Sequence, residues 1–252
     1  MQTRVIFAIV AVIVIGIGAG LWWWQGSSPP AKQAATEPVP QPEHVGPMEN
    51  GEVPAAPDAQ RAALPALDAS DDYVREQVGP LSPSMADWLK QDDLVRRFAA
   101  IVDVARQGDY PRRQLAFLTP AAKFPVQQQD DRILLDPAGY QRFDGFVDIA
   151  TSIEPQRAVG VLRTLSPLLV QALMELGAKD PDPLLALRQS IDQALATPDV
   201  EGEIELVQPK VYYQFADAKL EALPPLQKQL IRMGPQNLAR IKSYLTQVKS
   251  FL

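Results

Sequence analysis

Beyond Leu67 the apolar residues recur every three to four positions, the period of helices that bury one face. Asp68 and Ser70 are suited to cap a short helix running through Val78. Ser82-Pro83 reads as N-cap and first position of a second, through Lys90. Asp92 or Asp93 opens a third, with Leu94, Val95, Phe98, Ile101, Val102 and Ala105 on its apolar face and Gly108 as its stop. The period then changes. Phe124 to Gln128 and Arg132 to Leu135, separated by Gln129-Asp130-Asp131, predict a small β-hairpin. Pro137 restarts helix to about Ser152. Pro155 to Gly177 is a long helical run with a kink or break expected at Ser166-Pro167. Pro183 to Ala196 is another helix. Glu203 to Val207 and Val211 to Phe215 are short β-like pieces that could pair with each other.

The C-terminus carries two seams. Leu223, Leu226, Leu230 and Met233 are spaced 3, 4, 3, and Leu238, Ile241, Leu245, Val248 and Leu252 are spaced 3, 4, 3, 4. Met233-Gly234-Pro235 stands between them, glycine ending one helix and proline starting the next. The pattern predicts a helical hairpin whose seams pack within the chain; dimerisation through them is the competing reading.

The N-terminal pattern is different again. Val5 to Trp24 is 20 residues without a charge. At about 1.5 Å per residue it spans roughly 30 Å, the thickness of a bilayer core. Trp22, Trp23 and Trp24 close the run, where indole rings suit the membrane–water interface. A cleaved signal peptide is the rival, but its apolar region is usually only ~7–15 residues long. Arg4 precedes the run and Lys32 is the only nearby positive charge after it, which favours a cytoplasmic amino terminus and an exported body. Gly16 and Gly20 form a small-xxx-small pair through which the anchor could self-associate.

Residues 25–66 hold nine prolines in 42 positions, including Pro38-Val39-Pro40-Gln41-Pro42. Such a segment buries too little apolar surface to offset its ordering entropy. It is expected to be a disordered linker, about 130 Å long if fully extended and nearer 40 Å as a coil. The predicted organisation is therefore an anchor over 1–24, a linker over 25–66 and a helical domain over 67–252. The fold class is mostly α: a membrane anchor helix, a disordered Pro-rich linker, and a helical domain with a small β-hairpin insert and a C-terminal helical hairpin.

Composition narrows the chemistry. There is no cysteine and one histidine, His44, which lies in the proline-rich stretch. Disulfides, thiolate metal sites, cysteine nucleophiles and Ser-His-Asp triads are thereby excluded. The net charge of −6 is unfavourable for nucleic acid as main partner. No cofactor is indicated. Glycan cleavage needs two carboxyls roughly 5–10 Å apart across a cleft; Glu175 and Asp180 are candidates, but their spacing does not single them out. Asp130-Asp131 with Asp136 lacks the ligand ladder of a calcium loop. The reading leans against an enzyme.

Two groups of cations remain. Arg96/Arg97 and Arg112/Arg113 are arginine pairs, and guanidinium forks match carboxylates and phosphates. Asp93 stands at ion-pair spacing from Arg96 and Arg97, so a structural salt bridge competes with a binding role there. Residues 222–252 hold Lys228, Arg232, Arg240, Lys242 and Lys249 and no acid. That basic run could steer an acidic partner or an anionic surface, or simply be a solvated face. Asn237 and Gln236 open the last helix, where they could join an anion site or tie the corner together.

Four segments read together resemble one family. They are Asp92-Asp93-Leu94-Val95-Arg96-Arg97-Phe98, Pro111-Arg112-Arg113-Gln114-Leu115-Ala116-Phe117-Leu118, Val211-Tyr212-Tyr213-Gln214-Phe215-Ala216-Asp217, and Gln229-Leu230-Ile231-Arg232-Met233-Gly234-Pro235-Gln236-Asn237. They are similar to the bacterial domain-of-unknown-function family 3014, over about Leu67 to Leu252. The resemblance implies an exported bacterial envelope protein and supplies no activity. The expectation is a non-enzymatic module at the inner (cytoplasmic) membrane, held by residues 5–24 with its domain in the periplasm. Its partner would be an envelope protein or an anionic envelope component, contacted through Arg112, Arg113, Arg232, Asn237, Arg240 and Lys242. Binding or processing of cell-wall glycan is the alternative.

Overall fold

The computed structural model describes residues 64–116 and 124–252. The expected anchor with Gly16, Gly20 and Trp22 to Trp24, and all but the end of the expected linker, lie outside these residues.

Among the described residues there are eight α-helices and four short strands. The first helices are α1 (Asp71–Val78) and α2 (Leu94–Arg106). Strands β1 (Val126–Gln129) and β2 (Arg132–Leu135) follow, then α3 (Asp144–Ala150), α4 (Pro155–Glu175) and α5 (Pro183–Leu195). Strands β3 (Glu205–Val207) and β4 (Gln214–Phe215) precede α6 (Ala218–Glu221), α7 (Pro225–Arg232) and α8 (Pro235–Phe251).

The main core lies among α2, α4, α5, α7 and α8. The apolar face expected of α2 is buried in full, from Leu94 and Val95 to Ala105. α4 forms its spine, burying Val161, Leu162, Leu165, Leu168 and Leu169. It alone among the described helices is long and apolar enough to cross a membrane; half of its apolar window is buried inside the domain. It is one helix, unsplit at Pro167, which lies exposed within it. Both C-terminal seams are buried within the chain, through Leu226, Leu230 and Met233 on α7 and Leu238, Ile241, Leu245 and Val248 on α8. Gly234 makes the corner at φ +88°, and a side chain there would collide with the Tyr140 ring.

Ser82-Pro83 does not start a helix. Residues 83–85 and 88–90 form only single 3-10 turns. The Ser82 hydroxyl, buried, is shared with Ser84 (2.6 Å) and Ser152 (2.7 Å) instead of capping the backbone. Trp88 in the second turn stacks on Phe146 of α3, ring centroids 5.4 Å apart. The cap of α2 also differs from expectation. Asp93 takes a left-handed conformation (φ 55°) and its side chain caps nothing. Asp71 of α1 supplies the acceptor, with Asp93 N and Leu94 N donating to its carboxylate at 2.9 and 2.8 Å.

The predicted hairpin is present and is half of a larger unit. The sheet order is β1-β2-β3-β4, all antiparallel, with Ile133 opposite Leu206 and Leu206 opposite Phe215. One face of this sheet covers Ile231 of α7. Leu135, Ile204, Leu206, Phe215 and Ile231 make a second, smaller core, fringed by Phe124, Tyr140 and Tyr213.

Candidate functional site

The site is built where the end of α2, the sheet and α7 meet. Gly108, at φ +78°, turns the chain after α2, and its carbonyl accepts from Leu226 N at 3.1 Å. Pro111 and Leu115 are buried beyond this turn, while Arg112 and Arg113 stay exposed. Arg97 donates to the Gln114 carbonyl at 3.2 Å and ties the segment to α2.

Arg232 ends α7 and is half-buried against the second core. Its guanidinium carbon lies 4.6 Å from the centroid of the Phe215 ring, and Nη2 reaches the Tyr213 carbonyl at 3.5 Å. Burial pulls its pKa below the usual arginine value; Glu221 opposes that and the charge of Arg112 adds to it. Arg112 and Arg232 therefore share one field. Arginine remains protonated at any working pH, so the shift measures unfavourable surroundings and not a titration.

Glu221 sits beside them. Burial alone would raise its pKa, but a hydrogen bond from Lys228 Nζ (2.8 Å), another from Phe215 N (2.9 Å) and the charges of Lys228 and Arg232 bring it below the usual carboxylate range. This carboxylate is committed to Lys228 and to the edge of β4.

Arg142 is the third guanidinium. It lies 5.1 Å from the Phe124 centroid and 4.7 Å from that of Phe143. Its Nε is buried without a hydrogen-bond partner among the described residues. Burial lowers its pKa as well. Phe124 is 5.9 Å from the Tyr213 ring, so Tyr213 links the two arginines: its ring meets Phe124 and its carbonyl meets Arg232.

Elsewhere in the domain six arginines are paired, whereas Arg163, which donates to the Phe251 carbonyl, and Arg188 have no carboxylate at ion-pair distance among the described residues. Arg75, Arg96, Arg106, Arg132, Arg157 and Arg240 each have a carboxylate within ion-pair distance. Arg112, Arg113, Arg142 and Arg232 have none among the described residues. A half-buried guanidinium loses hydration, and only an anion restores the whole of it. Stacking on an aromatic ring leaves the N–H edge free for a carboxylate fork. The arrangement can hold carboxylates.

The other expected residues lie elsewhere. Asn237 is buried and ties the α7–α8 corner: its Nδ2 donates to Asp144 Oδ1 (2.9 Å), Met233 O (3.2 Å) and Tyr140 O (3.3 Å). Arg240 pairs with Asp148 at 2.6 Å and Lys242 with Asp199 at 2.8 Å. Asn237 is thereby committed inside the domain, whereas Arg240 and Lys242 each hold one carboxylate at the surface. Arg96 is a structural clamp joining Asp68, Asp93 and Glu175, which removes Glu175 from any pair with Asp180. Two surface cavities, of about 680 and 400 Å³, carry one carboxylate each, Glu154 and Glu201. No group of three metal-ligating side chains occurs among the described residues.

Arg142 and Phe124 were invisible to motif reading. An isolated arginine in a 3-10 turn has no spacing signal, and its aromatic neighbours come from other segments. The hint was the aromatic run Tyr212-Tyr213-Gln214-Phe215.

A family model described as Protein of unknown function (DUF3014) matches residues 94–249, which take in α2, the arginine-bearing turn, the whole sheet and nearly all of α8. No curated protein and no solved structure matches the chain.

Proposed function

This chain belongs to the DUF3014 family of unknown function, and we propose that it is a non-enzymatic interaction module that binds an acidic segment of a partner protein at its arginine face. The observation that carries this reading is the set Arg112, Arg142 and Arg232, two of them half-buried on aromatic rings, without a carboxylate at ion-pair distance among the described residues. We further propose that the module works at a bacterial inner membrane. The uncharged run Val5 to Trp24 would be the anchor, the proline-rich stretch the spacer, and the domain would face the exported side. The glycan-processing alternative lacks facing carboxylates in the two cavities described above.

The test is in-cell cross-linking of the full-length protein with mass spectrometry of what co-purifies. Arg112→Glu with Arg113→Glu changes exposed residues only, and circular dichroism checks that the fold is kept. Loss of a discrete partner is expected. Undiminished recovery from the folded double variant would refute the reading. Arg232→Lys keeps the charge but loses the planar fork, and is expected to weaken recovery about tenfold.

A further inference from the structure

α2 is 13 residues long, about 20 Å, and it separates two unlike ends of the domain. At its C-terminal end lies the arginine face. Beside that face the β3–β4 loop exposes Val207 (42 %), Val211 (73 %) and Tyr212 (37 %), with Lys210 among them. At its N-terminal end the turn joining α4 to α5 exposes Met174 (55 %), Leu176 (51 %) and Leu185 (50 %). Acids rim that turn. Asp68, Asp72, Asp92, Asp93, Glu175, Asp180 and Asp182 are exposed, with Arg75, Arg96 and the exposed Lys179 of the turn itself offsetting part of their charge. The α5 start belongs to this end because α5 runs alongside α2 in the same direction: Ser190 reaches the Val102 carbonyl and Gln193 lies against Gly108.

Single exposed apolar residues need no explanation, but grouped ones rimmed by charge mark contact surfaces. Here the balance of charge differs: the first group lies beside Arg112, Arg113, Arg232 and Lys210, with Asp109, Glu205 and Asp217 exposed on those segments, while acids predominate around the second. An anionic lipid surface suits the first and is repelled by the second. One object offers apolar knobs with acidic neighbours to the arginine face, and apolar knobs with basic neighbours to the acidic turn. That object is the domain itself.

We infer that the acidic partner of the arginine face is a second copy of this chain, which docks its α4–α5 turn head to tail against Arg112, Arg113 and Arg232. The inference rests on reading the arginine face as a contact surface. The two patches lie at opposite ends of α2, so the contact is heterologous: each copy uses one end and leaves the other open to a further copy. Opposite fields speed the encounter and set its register.

The experiment is sedimentation velocity of full-length protein in detergent micelles, in a Gly16→Leu, Gly20→Leu background that removes any anchor-driven pairing. At low salt, about 50 mM, the parent is expected to form dimers and larger species, and to lose them near 500 mM salt, where charges are screened within a few ångströms. Arg112→Glu with Arg113→Glu is expected to abolish association, and so is Asp72→Lys with Asp92→Lys. Mixing the two variants, or combining all four changes in one chain, is expected to restore it, a result that misfolding does not produce. Leu185→Asp should also abolish association. A parent that sediments as a monomer at low salt overturns the inference, and so do end-reversed variants that still self-associate. If Arg112→Glu with Arg113→Glu loses a different co-purifying protein while self-association is unchanged, the inference falls and the proposed contact role stands. If neither changes, both fall.

Discussion

Glu221 is the residue on which the edge of the sheet turns. It joins β4 to α7 through Phe215 N and Lys228, and its carboxyl is held below the ordinary range in the folded state. The sign follows from linkage: a lowered folded pKa contributes stability that is fully present above the unfolded value of about 4.3 and is lost as pH falls through the folded value. Glu221→Gln is expected to destabilise the domain by roughly 1–2 kcal/mol at neutral pH. Its urea midpoint should change less between pH 6 and pH 3 than that of the parent; an equal change in both would reject the assignment. Gly234 is a second decisive residue. Its positive φ and the Tyr140 ring leave no room for a methyl group, so Gly234→Ala is expected to cost about 2–4 kcal/mol, read as a lowered urea midpoint.

At the scale of elements, local period and local punctuation were legible. α2, α5, α7 and α8 follow from three-four spacing, a proline start or a glycine stop, because each buries one stripe against neighbours. Elements fixed by distant partners were not. The β2–β3 pairing joins Ile133 to Leu206 across most of the helical core, and no turn signal reports a pairing so remote. Ser82 looked like a cap and is a link in a hydroxyl chain whose end, Ser152, is 70 residues away. The arginine face divided the same way: Arg112 and Arg232 stood out as cations in basic stretches, whereas Arg142 acquires its meaning from Phe124 and Phe143 in space. Two predictions belong here. Pro167 lies exposed inside α4, so Pro167→Ala restores a backbone donor and is expected to stabilise the domain by about 1–3 kcal/mol, seen as a raised Tm. Asp71 caps α2 from another helix; Asp71→Ala should cost about 1 kcal/mol and speed amide exchange at the start of α2.

On the scale of the whole molecule, the domain carries a large helical core and a small sheet core that share α7. Leu230 and Met233 face the first while Ile231 faces the second. α7 is thus the common wall, and the arginine at its end stands where the two cores meet the surface. The family match spans both cores, in keeping with a single unit. The charge asymmetry along α2 makes a further prediction: partner recovery in cells should fall with rising ionic strength during cross-linking, because exposed charges act only within a Debye length of about 8–10 Å. Recovery insensitive to salt would point to apolar contact alone.

The stack of Trp88 on Phe146 has an optical consequence. The other three tryptophans are Trp22, Trp23 and Trp24. With those three changed to phenylalanine, every photon of indole emission comes from the junction of the 3-10 turns with α3. The chain then carries its own single lamp. Its colour reports whether the domain is folded, and its polarisation reports how fast the domain tumbles, so unfolding and self-association register as two separate signals from one residue.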